Sequence, residues 1–365
     1  MIQATRTPEQ LRVFLNPYAT ANANQENTLG SPAEIRADRL MDALNLFEED
    51  RKDIHEPARP DHIHDLPSDK LTIVYSDGGD GTIRGVVGAL LGVVPNDHEA
   101  TERNQARHAE ALENVLYIAG AGGNGNNYSL SALGNVARDP ASFVGHPRAK
   151  IGVHRPLMYH LKSERGERSG IATSCFGLGG AAIASTAFES ERYNLQKMSR
   201  AARLGREILT GSRIMLSAQP FSLRSTLATE KGVTTQSDLE DITGVEFIGS
   251  RIYAKQGRSK ANIDGSEIQP LISKYRKNPA ARAGGLVLML ARLRTGRYEQ
   301  PLLDLPLGAT LTFQNMGDWP IQFHADAETD AAFDVLYPKD TLTVYRSPLA
   351  VRTAMIAPRR SRGNR

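Results

Sequence analysis

The segment from Ser76 to Thr82, Ser-Asp-Gly-Gly-Asp-Gly-Thr, constrains the fold of this chain more than any other. It follows an apolar, β-prone segment at 71–75 and precedes residues 83–91, whose composition suits a helix. A strand, a glycine turn and a helix in this order place backbone N–H groups where phosphate binds well. Three glycines in four positions let the backbone approach a ligand closely. The carboxylate of Asp80 would lie beside the phosphate, and two such anions are tolerated only with a metal ion or a proton-donating substrate between them. The segment therefore suggests phosphoryl transfer from a nucleotide.

The composition indicates a soluble globular protein. The 365 residues suffice for two domains, and 40% are apolar while 23% are charged. A net charge of only +3 gives no reason to expect a nucleic-acid partner. The single cysteine, Cys175, excludes an intramolecular disulfide framework and is more often a small buried residue than a nucleophile. Residues 1–10 are polar and no segment has about twenty apolar residues, so we expect a cytoplasmic location.

The end of the chain is basic. Residues 346–365 hold six arginines and no acidic residue. The simpler interpretation is a solvated, disordered tail, and the alternative is contact with an anionic membrane surface. A lipid substrate would have to be reached from that surface. The sequence leaves the oligomeric state open, homodimer included.

Alternating strands and helices occupy the first part of the chain. Strands are predicted at 11–15, 71–75 and 115–119, with helices at 31–49, 83–91, 100–112 and 128–135. This alternation indicates a parallel, doubly wound sheet. Residues 51–70 are predicted to be an exposed insertion, in which His62 and His64 lie on one side of an extended segment. They are either part of a solvated loop, the simpler interpretation, or metal ligands.

Short apolar strands follow from about residue 149 onward and indicate a mainly antiparallel β-sandwich. They are predicted at 152–161, 170–176, 213–223, 244–254, 307–314, 321–324 and 341–345. Two helices interrupt them, at 189–209 and 279–294.

Two glycine turns carry the candidate phosphate chemistry. Phosphoryl transfer needs backbone donors, Mg²⁺ held by carboxylates, and often a base for the acceptor hydroxyl. Asp80 is the leading carboxylate, and its alternative role is an Asx-type turn. Thr82 is a candidate to donate its hydroxyl to phosphate, to cap the helix, or to do both. The second turn, residues 120–127, suits a phosphate loop, although a plain strand-to-helix connection is the alternative.

Acidic residues recur near the end of the second part. Asp326 and Glu328 point to the same face if their segment is extended, which suits a hard metal ion. An acidic surface turn is an equally good interpretation. The segment around Asp264 is a similar, weaker case.

These motifs together resemble the diacylglycerol kinase catalytic-domain family, which includes bacterial lipid kinases and sphingosine and ceramide kinases. Residues 78–82 are the family's GGDGT signature, and residues 123–128 occupy the place of its second loop, GTGNDF. Residues 13–17 look like its opening strand and Asn-Pro turn. Residues 174–179 and 264–265 resemble its glycine-containing strand and Asp-Gly loop, and residues 326–328 fall where the family has DGE.

The resemblance implies an ATP- and Mg²⁺-dependent lipid kinase with its active site in a cleft between two domains. It implies a nucleotide-binding α/β domain at 10–148, to which 335–357 return, a β-sandwich substrate domain at 149–334, and a basic tail at 358–365. Asp80 and Glu328 would be catalytic, and Asp80, Asp264 and Asp326 would hold metal. The nucleotide would contact Asn16, Gly78, Gly79, Gly81, Thr82, Gly123, Gly125 and Asn126.

Several departures from the family pattern mark a divergent member. Asn124 and Asn127 replace a hydroxyl residue and an aspartate of the second loop, and Ala327 replaces the glycine of DGE. NAD kinases share the GGDGT signature, and phosphofructokinases share it with Ser for Thr. A kinase of a soluble metabolite, and a non-catalytic nucleotide- or lipid-binding protein, therefore stay open as alternatives to a kinase acting on a diacylglycerol- or sphingoid-like lipid.

Overall fold

The computed structural model describes most of the chain. The described residues are 8–15, 32–67, 69–122, 126–180, 182–183, 199–253, 257–298, 300–326 and 334–357. The chain divides into two compact units. The first comprises Met1–Val93, Thr101–His154 and Leu349–Arg365, and the second comprises Val94–Ala100 and Arg155–Pro348.

The elements follow one another in two stretches of different character. The first stretch alternates strands and helices: β1 (Gln10–Leu15), α1 (Pro32–Ala43), β2 (Arg51–Ile54), α2 (Asp61–His64), β3 (Thr72–Gly78), α3 (Asp80–Leu90), α4 (His98–Glu113), β4 (Val115–Ala121), α5 (Asn127–Leu133) and β5 (Ala149–His154). The second is mostly strands: β6 (Leu157–Ser163), β7 (Gly166–Ala172), β8 (Cys175–Gly179), α6 (Arg200–Ser217), β9 (Phe221–Thr229), β10 (Gly232–Ile248), β11 (Ile252–Tyr253), β12 (Gly257–Arg258), β13 (Glu267–Lys274), α7 (Pro279–Thr295), β14 (Leu303–Asp304), β15 (Thr310–Asn315), β16 (Ile321–Ala325), β17 (Val335–Leu336), β18 (Thr341–Arg346) and β19 (Val351–Ile356).

The first unit is an α/β domain, as the sequence predicts. Within the described ranges, its sheet has six strands in the order β2-β1-β3-β4-β19-β5. Every pairing is parallel except that of β5 with β19. All residues of β3 are buried, as expected for a strand covered on both faces. Helix α3 buries Ile83, Val86, Val87 and Leu90, a helical spacing that forms one apolar stripe.

The second unit is a large, mainly antiparallel sheet of β-sandwich type, which confirms the predicted fold class. Among the described residues its main path runs β17-β16-β8-β10-β9-β15-β18-β6-β7, with β13 joined to β10 and β14 to β13. Its core contains aromatic pairs: the ring centroids of Phe176 and Phe323 lie 5.7 Å apart, and those of Phe247 and Phe313 lie 5.3 Å apart. Strands from distant parts of the chain therefore share one core.

Several local predictions are wrong, and two of them concern the kind of element that forms. Residues 51–54 are not part of an insertion but form β2, which pairs in parallel with β1. Helix α6 continues to Ser217, so the strand predicted from residue 213 is helical over its first five residues. Short apolar runs such as 214–216 fit a buried strand and a helix equally well, and here the helix prevails. The predicted start of that helix, at 189–198, lies outside the described residues.

The return of the chain to the first unit begins later than predicted. Strands β17 and β18 belong to the second sheet, where β18 pairs with β15 and β6. Only β19 enters the first sheet, beside β4, and β5 joins it there rather than the second sheet. The burial patterns agree with this placement: β18 alternates along its first four residues, whereas β19 buries consecutive residues.

Candidate functional site

The first glycine turn and the described residues of the second lie at the carboxyl edge of the first sheet. Strands β3 and β4 are parallel neighbours, with Gly78 opposite Ala121. Helix α3 begins directly after β3, and its N-cap residue, Gly79, has an extended backbone and makes no side-chain cap. Helix α5 begins after the second turn, with Asn126 in the left-handed conformation at its N-cap. Two helix N-termini, each favourable for an anion, therefore follow adjacent strands.

Asp80 connects these two helices. Its carboxylate accepts hydrogen bonds from the backbone N–H groups of Asn127, at 3.1 Å, and Tyr128, at 3.2 Å. These donors lie at the start of α5, where helical N–H groups have no partner within the helix. Asp80 is buried in the first turn of α3. It therefore fixes the start of α5 relative to the start of α3.

A partly buried ion pair involves Asp77, three residues before Asp80 in the sequence. Arg36 of α1 donates to both carboxylate oxygens of Asp77, at 2.5 and 2.9 Å. The hydroxyl of Tyr75 donates to the same carboxylate at 2.5 Å. Burial lowers the pKa of the Arg36 guanidinium, but the hydrogen bond and charge of Asp77 outweigh this and raise the pKa above its ordinary value.

Glycines surround this ion pair because no side chain fits there. A Cβ added to Gly122 would lie 2.0 Å from Asp77 Oδ1, and one added to Gly120 would lie 2.6 Å from the Tyr75 hydroxyl. A Cβ on Gly78 would lie 2.3 Å from Thr82 Oγ1. Gly78, Gly120 and Gly122 are therefore required by packing within the protein as well as suited to a close ligand.

In the second unit, Asp326 is enclosed by donors. Its side chain accepts hydrogen bonds from the backbone N–H groups of Thr173, Ser174 and Cys175 and from the hydroxyls of Thr173 and Ser174, at 2.6 to 3.0 Å. A carboxylate offers about four lone-pair positions. These bonds occupy them, so a metal ion on Asp326 would have to displace protein donors. The metal role of Asp326 stays a prediction.

Asp264 forms a tight turn before β13. Its Oδ1 accepts hydrogen bonds from the backbone N–H of Ser266, at 2.9 Å, and from the Ser266 hydroxyl, at 2.7 Å. Gly265 follows with a φ of +76°, a conformation that favours glycine. This is the Asx-type geometry of a turn, and the metal role of Asp264 also stays a prediction.

The structure brings part of the predicted site together. Gly78, Gly79, Asp80, Gly81, Thr82 and Asn126 lie on the two turns of the first unit, whereas Asp264 and Asp326 belong to the second. Asn16, Gly123, Gly125 and Glu328 lie outside the described residues.

The predicted histidine pair is not on an extended segment. His62 and His64 lie on the single-turn helix α2, where His62 Nε2 is 3.0 Å from Glu56 Oε1 and the His64 ring packs against His108. Within the described part of the chain, the one group of side chains placed to hold a metal ion is Cys175, Glu246 and His324.

Sequence reasoning missed the Arg36–Asp77 pair. Arg36 and Asp77 are 41 residues apart, and nothing in either local sequence indicates the partner. A usable signal was the position of Asp77 itself, a charged residue at the end of a strand that is otherwise apolar and buried.

Comparisons with known proteins identify the fold. No family model and no curated protein matches the chain. A crystal structure from Bacillus anthracis str. Sterne, described as a diacylglycerol kinase, superposes with a TM-score of 0.53 at 12% identity, over 96% of this chain and 98% of that one. Two further structures from that organism, described by the same enzyme name, give TM-scores of 0.54 at the same identity and coverage. The chain therefore has the two-domain fold of these structures.

Proposed function

We propose that this protein is an ATP- and Mg²⁺-dependent kinase that transfers a phosphoryl group to a hydroxyl of a diacylglycerol- or sphingoid-like lipid. The observation that carries the proposal is the Gly-Gly-Asp-Gly-Thr turn, which begins α3 at the carboxyl edge of a parallel sheet. Its neighbour, the start of α5, is fixed by Asp80. The shared fold with structures described as diacylglycerol kinases supports the proposal.

The first unit fits a nucleotide triphosphate. The N-terminus of α3 offers a partial positive charge, and Gly79 brings no side chain between that backbone and a phosphate. The Thr82 hydroxyl lies in the first turn of the same helix, where it can donate to phosphate. Bound ATP would supply the phosphoryl group, and these backbone and hydroxyl donors would orient it and stabilise its charge.

Asp80 is the proposed catalytic carboxylate. It would accept the proton of the acceptor hydroxyl or hold Mg²⁺. Glu328 would be the second catalytic carboxylate. Bound Mg²⁺ would neutralise charge on the transferred group. A carboxylate can accept hydrogen bonds from backbone amides and also accept a proton or bind Mg²⁺, because each oxygen has two lone pairs. The two hydrogen bonds to α5 would fix the orientation of the carboxylate.

Two neighbouring helices of the second unit support a lipid acceptor. Helix α6 carries four arginines and one glutamate, and α7 carries three arginines and no acidic residue. Arg282 of α7 donates to the backbone carbonyl of Leu216 on α6 at 2.6 Å. Leu209 of α6 and Leu288 of α7 are 52% and 46% exposed. Basic helices that expose leucines suit the surface of an anionic membrane.

A small cavity of about 130 Å³ lies beside α7. Apolar side chains line it together with four basic ones, which are Lys274, Arg276, Arg282 and Arg292. Such a lining suits a molecule with an anionic group and an apolar part. Among the described residues, none of the helices combines the length and apolar character needed to cross a bilayer. The proposed contact with the membrane is peripheral, through α6 and α7.

Vesicle binding tests this contact. The protein should sediment with vesicles of anionic phospholipid and not with neutral phosphatidylcholine vesicles, and added salt should release it. Arg213→Glu should weaken binding about fivefold or more for each unit of charge lost, and Leu209→Asp should weaken it as well. Leu307→Asp, which changes another exposed leucine of the second unit, is the matched control. Equal binding to neutral vesicles, or no effect of Arg213→Glu, would contradict the proposal.

A transfer screen tests the function. The purified protein is incubated with radiolabelled ATP and Mg²⁺, first with detergent-dispersed lipid extracts and then with soluble metabolites, including NAD. The proposal predicts a labelled lipid. Label in a soluble product instead would establish the soluble-metabolite kinase and overturn the lipid acceptor.

The second candidate is a non-catalytic nucleotide- or lipid-binding relative. One observation favours it: Asp80 and Asp326, two of the proposed functional carboxylates, both accept hydrogen bonds from backbone N–H groups and thereby stabilise turns. This candidate predicts that ATP binds, as measured by calorimetry, while no acceptor is labelled in the screen. Transfer to any acceptor rules it out.

A further inference from the structure

Three potential metal ligands meet inside the second sheet. Cys175 lies on β8, Glu246 on β10 and His324 on β16, and β8 is the middle strand of the three. Glu246 and His324 both pair with Gly177 of β8, and Cys175 precedes Gly177 by two residues, on the same face. One sulfur, one nitrogen and one carboxylate oxygen lie within 4.8 Å of one another. All three residues are at most 3% exposed.

Gly177 makes room for this cluster. A Cβ at Gly177 would lie 2.2 Å from Glu246 Oε2 and 2.5 Å from His324 Nε2. The carboxylate and the imidazole thus occupy the space where a side chain would otherwise stand. They are hydrogen-bonded to each other, at 2.9 Å between Oε2 and Nε2. Polar groups from two strands therefore converge over a glycine on the third.

The second oxygen of Glu246 indicates that the cluster is incomplete. Glu246 Oε1 is buried and has no hydrogen-bond partner. A buried carboxylate oxygen without a donor is unfavourable, and buried charges in proteins are usually paired or bound to a metal. A cation at this position would satisfy it.

We propose that Cys175, Glu246 and His324 bind a Zn²⁺ ion, at a site distinct from the phosphoryl-transfer site and independent of the proposed function. Thiolate and imidazole favour Zn²⁺ over Mg²⁺ or Ca²⁺, and zinc sites with three protein ligands leave a fourth position for water. Thiolate and carboxylate together carry two negative charges, which a divalent ion balances. On binding, the thiol releases its proton to solvent, and the imidazole keeps one proton, on the ring nitrogen that does not bind the ion.

The ion would cross-link three strands of the second unit. It would also steady the turn that holds Asp326, because the backbone N–H of Cys175 donates to that carboxylate and His324 lies two residues before it. Zinc should therefore raise the thermal stability of the protein.

Cobalt provides the test, because the chain contains a single cysteine. Metal-free, tag-free protein is titrated with Co²⁺ at neutral pH, and is also refolded from urea with Co²⁺ present. The proposal predicts a thiolate-to-cobalt charge-transfer band that saturates at one equivalent and disappears when Zn²⁺ is added. Folded wild-type protein that shows no such band by either route would overturn the proposal.

Variants identify the ligands. Cys175→Ser should abolish the band, while Glu246→Gln and His324→Gln should each weaken Co²⁺ binding at least about tenfold. His160→Gln is the matched control, because His160 pairs with Glu167 in the same unit, at 3.2 Å. Circular dichroism checks that each variant is folded. If a variant fails to fold, the Co²⁺ titration of the wild-type protein and its zinc content after dialysis still test whether the metal site exists. An equal loss of Co²⁺ binding in His160→Gln would overturn the assignment of these three ligands.

Discussion

At the scale of single residues, Asp80 joins two turns that are 47 residues apart in the sequence. Its carboxylate binds the first N–H groups of α5 while its backbone begins α3. The residue that the sequence marks as catalytic is therefore also a structural cap. The capping role predicts an effect of its substitution on stability, and the proposed catalytic role predicts an effect on chemistry. The two effects have to be measured separately.

Asp80→Asn should lower the free energy of unfolding by about 1–3 kcal/mol. Asparagine keeps one acceptor oxygen but turns an NH₂ group toward the other backbone N–H. Urea unfolding gives the free energy, and hydrogen exchange at the Tyr128 amide shows whether the start of α5 opens. Asp97→Asn is the control, because Asp97 accepts from the Ala100 N–H at an exposed helix start, where asparagine caps equally well. Unchanged protection at Tyr128 would contradict the capping role.

Gly122→Ala should destabilise the protein by about 1–3 kcal/mol or more, as overpacking does. The new methyl group would lie 2.0 Å from Asp77 Oδ1 and would disturb the ion pair with Arg36. Gly85→Ala is a matched control on α3, since a Cβ there has no atom within 4 Å. Alanine at that helical position should stabilise slightly. Two variants of equal stability would show that the close approach at Gly122 is unimportant.

At the scale of elements, buried tyrosines join the strands and helix around the two turns. The Tyr117 hydroxyl lies 2.6 Å from Ser76 Oγ, and the Tyr128 hydroxyl donates to Thr353 of β19 at 3.1 Å. Burial raises the pKa of Tyr75, Tyr117 and Tyr128 above the ordinary value of 10.0. For Tyr75, the negative charge of Asp77 raises the pKa further.

These phenols predict a loss of stability at alkaline pH. A group whose pKa is higher in the folded state stabilises fully below its unfolded-state pKa, and this stabilisation is lost as the pH rises above about 10. The urea midpoint should therefore fall between about pH 9 and about pH 11. The phenylalanine of Tyr117→Phe cannot ionise, so this variant should show a smaller fall. Tyr275→Phe, at a half-buried position of the second unit, serves as the control. An equal slope in wild type and Tyr117→Phe would contradict this account.

The sequence predicted the elements whose local signals are strong. Strands β1, β3 and β4 and helix α3 have continuous apolar runs or a clear helical stripe, and glycines or Asn-Pro mark their ends. Strand β10 was predicted only from residue 244. Its first part, beginning at residue 232, is polar and largely exposed, so it lacks the alternation by which a half-buried strand is recognised.

The candidate site was predictable only where its residues are neighbours in the sequence. Glycines and a carboxylate after a strand indicate phosphate chemistry from the sequence alone. The partners of Asp77 and Asp80 could not be predicted, because they come from other elements and the bonds form only once the sheet is assembled. The same holds for Glu246 and His324, which are 78 residues apart.

At the scale of the whole molecule, the last described strand, β19, lies in the same sheet as the first, β1. Strand β19 pairs with β4 and β5, and Thr353 donates to the carbonyl of Tyr117, 236 residues earlier. Contacts between residues so far apart leave no signal in the local sequence. For this reason the return of the chain to the first unit was predicted from residue 335, whereas it begins at Leu349. The integrity of the first unit depends on its last strand.

Truncation tests this dependence. Deleting residues 349–365 removes β19 from the interior of the first sheet, together with the buried side chains of Val351, Thr353 and Ala354. The protein should lose its cooperative thermal transition or become insoluble. Deleting only 358–365 leaves β19 in place and should change the melting temperature little. A folded, cooperative protein lacking β19 would contradict the described topology.

The most direct measurement of the central claim is transfer of radiolabelled phosphate from ATP to diacylglycerol in anionic mixed micelles. We expect a labelled lipid product that requires Mg²⁺, and a fall of about 100-fold or more in Asp80→Asn at a temperature where that variant is folded. Asp42→Asn, an exposed position on α1, should leave the rate unchanged. An undiminished rate in folded Asp80→Asn, or no transfer by folded wild-type protein to any acceptor, would contradict the account.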